Sequence, residues 1–89
     1  MKRKVQQLAK SLYEETKQRF PAIQFINIQE HPEQADRFWI NVAGELSEEE
    51  QDSMRMFVGR KATDILIHDG YSFAVMLDNT LLEANYLHS

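Results

Sequence analysis

Residues 37–43, Arg-Phe-Trp-Ile-Asn-Val-Ala, impose a clear pattern. Phe38, Ile40 and Val42 alternate with Trp39, Asn41 and Ala43, the period of two that a half-buried strand requires. We assign the Phe38 side to the core, which leaves Trp39 and Asn41 on the opposite face. Gly44 ends the run. Any fold for this chain must therefore cover Phe38 and find some use for Trp39.

Two segments can supply that cover. In residues 3–20, Val5, Leu8, Ala9, Leu12, Tyr13, Thr16 and Phe20 recur at steps of three and four, so they line one side of a helix. Lys10, Glu14, Lys17 and Gln18 take the other side, and Pro21 forces the helix to stop. The second helix opens at Ser47-Glu48-Glu49-Glu50, a capping box with three carboxylates where the helix dipole is positive. It runs to about His68, with Gly70 as a left-handed cap. Its expected buried stripe is Met54, Phe57, Val58, Ala62, Ile65 and Leu66. Gly59 lies inside this helix at a cost of about 1 kcal/mol relative to alanine, which suggests close helix–sheet contact.

Residues 22–30 and 71–78 read as further strands. In the first, Ile26 and Ile28 share one face, while Phe25, Asn27 and Gln29 share the other. In the last, Tyr71, Phe73, Val75 and Leu77 line one side and Ala74 and Met76 the other. Apolar residues on both sides suggest a central strand. The polar segment His31–Asp36 suits a hairpin loop whose register no tight-turn pair defines. Residues 79–89 carry Leu81, Leu82, Tyr86 and Leu87 and read either as a short helix capped by Asn79 or as a loose tail.

The order is α-β-β-α-β within a single domain spanning residues 1–89. The expected class is α+β, a two-layer sandwich of a three-stranded sheet with both helices on one face. The first two strands pair antiparallel, and the second helix is a right-handed crossover to a parallel third strand. Strand order is left open. Two helical stripes cover only one side of such a sheet. The other side is expected to carry Phe25, Trp39 and Met76 with Asn27 and Asn41, a mixture typical of interface centres. The competing expectation is that residues 79–89 fold back over it.

Composition narrows the function classes. The chain has 89 residues and no cysteine, which excludes disulfides, thiolate metal sites and thiol nucleophiles. No apolar run reaches the ~18 residues of a membrane span. Val5–Lys10 breaks the apolar core that a signal peptide would need after Met1-Lys2-Arg3-Lys4. The expected setting is the cytoplasm, most simply a bacterial one. His31, His68 and His88 have no ligand spacing between them, and Glu48–Asp52 reads as a solvated helix start. No serine has a nucleophile elbow, and three scattered glycines cannot build a phosphate loop. No cofactor or metal is expected.

Charge is uneven. Residues 1–20 hold six basic and two acidic side chains, a balance of +4, whereas residues 21–89 sum to −8. That split raises a nucleic-acid-associated accessory role through Lys2, Arg3, Lys4, Lys10, Lys17 and Arg19. The single-strand-binding signatures are absent, however, and the rest of the chain is acidic. The element mix also invites comparison with the small palm of nucleotidyltransferases. The strand Phe38–Val42 lacks the paired acids that would hold magnesium, so a related fold would be catalytically inactive. The leading expectation is a non-enzymatic interaction module. It would self-associate, as a dimer, or dock another protein through Trp39, Phe25, Met76, Asn41 and Asn27.

Overall fold

The structure is a computed structural model that describes residues 2–78. The expected helix or tail at 79–89 lies outside the described residues. The elements are α1 (Arg3–Arg19), β1 (Gln24–Glu30), β2 (Arg37–Ala43), α2 (Glu48–Asp69) and β3 (Ser72–Leu77). They form the small α+β fold expected from the sequence, a mixed three-stranded sheet with two helices packed on one side.

α1 buries Val5, Ala9, Leu12 and Thr16 along the expected stripe. Thr16 is a polar residue in that stripe, and its hydroxyl donates to the Leu12 carbonyl at 2.7 Å, which removes the cost of an unpaired buried oxygen. Pro21 ends the helix, and the Lys17 ammonium ties the exit together by donating to the carbonyls of Pro21 and Ile23. α2 begins with the capping box read from the sequence. The Glu50 N–H donates to Ser47 Oγ and the Ser47 N–H donates to Glu50 Oε1, each at 3.1 Å. It ends at Gly70, whose φ of 77° is the left-handed cap.

The core joins Val5, Ala9 and Leu12 of α1 and Met54 and Val58 of α2 to the inner faces of the strands. Phe38, Ile40 and Val42 contribute from β2, and Phe73 stacks on Phe38 with ring centroids 5.5 Å apart. Strand order is β1-β2-β3, with β1 antiparallel and β3 parallel to β2. β3 is therefore an edge strand, not the central one its two-sided apolar pattern suggested. β2 holds the centre because it has a short hairpin to β1 and an adjacent crossover to β3. The hairpin closes when the His31 N–H donates to the Arg37 carbonyl at 2.8 Å, which sets the register that the loop sequence left open.

Three further expectations are corrected. Phe25 faces Val42 and Ile28 faces Ile40, so both lie on the helix side of the sheet. An odd sequence separation can do this only across the register shift between Phe25 and Asn27, a β-bulge that inverts the phase of the strand's first half. Leu66 does not join the α2 stripe. It is exposed, along with Met56 and Ile67. Gly59 does not mark a close approach, since a β-carbon there would meet nothing within 4 Å.

Candidate docking surface

Among the described residues no helix covers the second side of the sheet, and this helix-free side is built around Asn41. In the central strand this residue faces away from the helices, opposite Asn27 on β1 and Met76 on β3. Its amide nitrogen donates to Asn27 Oδ1 and to Gln29 Oε1, both at 2.7 Å. One amide thus joins two side chains of the neighbouring strand, and Asn41 is only 4% exposed. The arrangement fixes the rotamers of all three amides and leaves the Asn27 and Gln29 N–H donors at an exposed surface.

Trp39 flanks this network two residues earlier. It stands between Gln29 of β1 and Ala74 of β3, and its indole meets the His31 ring at 5.3 Å between centroids. It is half-buried, whereas Met76 on the edge strand is 50% exposed. The structure therefore brings together four of the five expected interface residues, Trp39, Asn27, Asn41 and Met76, on one face. It removes the fifth. Phe25 packs edge-on against Tyr13 of α1, with ring centroids 5.5 Å apart.

That displaced ring forms a second apolar feature, absent from the sequence reading. Tyr13, Phe25 and Ile28 line a groove between α1 and the free edge of β1, bordered by Lys10 and Glu14. Its sequence signal was the apolar set Ile23, Phe25, Ile26 and Ile28, which changes phase midway. Such a break is what a bulge requires.

The basic character of α1 is largely absorbed within the chain. Lys4 pairs with Asp69 at 3.0 Å, and Arg19 lies over the Phe57 ring at 5.2 Å. Lys17 holds the two carbonyls at the helix exit. Lys10 lies 4.0 Å from Glu14. Among the described residues this leaves Lys2, Arg3 and the loosely paired Lys10 of the six as the remaining material for a phosphate-binding arm. Among the described residues, no His, Asp and Glu side chains gather into a group able to hold a metal ion, and no helix is long and apolar enough to cross a membrane.

Compared with known proteins, the chain matches no protein-family model, no curated protein and no solved structure.

Proposed function

We propose that this chain is a non-enzymatic self-association module whose helix-free sheet face docks on the same face of a second copy. The observation that carries the reading is the patch of Trp39, Asn41, Ala74 and Met76, uncharged at its centre and rimmed by the amides of Asn27 and Gln29 and, at one end, by Arg37. The chain as a whole carries a net charge of −4. A neutral centre lets two such copies approach without like-charge repulsion. The amides are both donors and acceptors, so they are complementary to themselves across a two-fold axis. Trp39 and Met76 supply the apolar area, and sheets of this kind stack about 10 Å apart. A cytoplasmic setting belongs to the same proposal, supported by the absence of cysteine.

Molar mass in solution tests it. Wild type should exceed the mass of one chain, and Trp39→Asp should halve the wild-type value. Met76→Lys, at a half-exposed edge position, should do the same without touching the core. A wild-type mass of one chain would overturn the reading.

A further inference from the structure

β1 is an edge strand, and its hydrogen-bonding groups divide cleanly. The His31 N–H donates inward to Arg37, and alternation along an antiparallel ladder then turns Asn27 and Gln29 toward β2. The intervening residues, Ile28 and Glu30, point their backbone N–H and C=O away from the sheet. The same alternation holds on β2, where Val42 turns to the other neighbour and accepts from the Asp78 N–H at 2.8 Å. Among the described residues, no strand lies beyond β1. An exposed edge of this kind is a template for another strand. The groove of Tyr13, Phe25 and Ile28 runs alongside it.

We propose that a second copy of this chain occupies this edge, with β1 pairing antiparallel to the partner's β1 about a two-fold axis at Ile28. The Ile28 N–H then donates to the carbonyl of the partner's Ile28, and the bond is made twice. Glu30 falls opposite the partner's Ile26, which keeps the two carboxylates at opposite ends of the ladder. Asn27 falls opposite the partner's Gln29 on the helix-free side.

The occupant is a second copy because the rim of the groove is complementary to itself. Lys10 and Glu14 sit one turn apart at the edge of α1, exposed and only loosely paired at 4.0 Å. A two-fold axis reverses their order, so Lys10 meets the partner's Glu14 and Glu14 meets the partner's Lys10. The register of β1 is regular from Asn27 onward, so the Ile28–Ile28 and Asn27–Gln29 pairs form the regular ladder and the bulge at Ile26 ends it.

This edge contact stands apart from the docking of sheet faces, but one consequence rests on both. The axis of the edge pair is normal to the sheet, and that of the face pair lies in its plane. Where these perpendicular two-folds intersect, with the in-plane axis running across the strands through Ile28, they close an assembly at four copies, two six-stranded sheets stacked face to face with helices outside.

Molar mass across a set of variants separates the two contacts. Among the described residues the Ile28 N–H turns away from β2, so Ile28→Pro removes the outward donor along with part of an apolar side chain packed beside the core. Wild type should be tetrameric, Trp39→Asp and Ile28→Pro each dimeric, and the combined variant monomeric. A dimeric wild type that Trp39→Asp makes monomeric and Ile28→Pro leaves intact overturns the edge contact alone. The converse pattern overturns the face contact alone. Cysteine pairing covers the case in which Ile28→Pro fails to fold. The chain has no thiol of its own, so a mixture of Asn27→Cys and Gln29→Cys chains reports the register directly. The mixture should form disulfide-linked dimers at least tenfold faster than Asn27→Cys alone. Equal rates overturn the proposal.

Discussion

The ring of Phe25 meets that of Tyr13 edge-on, at 5.5 Å between centroids and 75° between planes. This contact ties the first strand to the first helix at the margin of the core. Phe25 remains 47% exposed, so its value comes from the aromatic pair and from partial burial. Phe25→Ala should lower the free energy of unfolding by about 1–2 kcal/mol, less than a fully buried Phe would cost. Phe25→Tyr should preserve it. Urea denaturation of the three proteins at one concentration checks both values.

Phe25 also shows where sequence reasoning reaches its limit. Element order, the α1 stripe, β2 and the α2 capping box all follow from local chemistry, and each sits where that chemistry puts it. Trp39 and Asn41 followed as well, because an uninterrupted alternation of two carries face information along the whole strand. A bulge destroys that information. It inserts one residue whose effect on phase is set by the partner strand, so alternation alone misplaces Phe25 but not Asn27. Leu66 failed for a related reason. α2 carries apolar residues around much of its circumference, and only contact with the sheet decides which of them are buried. The central position of β2 depends on chain connectivity in three dimensions, which the two-sided apolar pattern of β3 does not encode.

Gly59 and Gly44 should respond in opposite ways to alanine. Gly59 sits in the interior of α2 with open space around its missing β-carbon. Gly59→Ala should stabilise the protein by about 0.5–1 kcal/mol through helix propensity and a less flexible unfolded chain. A β-carbon on Gly44 would run into the backbone carbonyl of Ala22 and lie 3.1 Å from Ile23 Cα. Gly44→Ala should destabilise by several kcal/mol, on the order of other overpacked sites. Thermal unfolding should show the first variant a few degrees above wild type and the second well below it.

The capping box at Ser47 offers a test of how much α2 depends on its own start. Ser47 Oγ accepts from Glu50, and Glu50 returns the bond, so two of the four unpaired N–H groups near the helix start are served by side chains. Ser47→Ala should cost about 1 kcal/mol, whereas Ser47→Asp should retain most of that stability by keeping an acceptor at the positive end of the dipole. Glu50→Ala should remove only the return bond and cost less than Ser47→Ala. A double-mutant cycle across the two positions measures their coupling. A coupling energy near zero would show that the two bonds act independently.

The chain contains one tryptophan, so its emission reports on the docking face alone. Trp39 is half-buried against its neighbours and 5.3 Å from the His31 ring. Packing this face on a second copy would withdraw the remaining indole surface from water. Dilution should then shift the emission maximum to longer wavelength and raise its accessibility to acrylamide, with a midpoint that matches the fall in molar mass. Ile28→Pro should leave this transition in place, because the β1 edge lies outside the face. His31→Ala should change the emission intensity by removing the adjacent, tilted imidazole but keep the dependence on concentration. Emission unchanged by dilution, while the mass falls, would move the contact between copies away from Trp39.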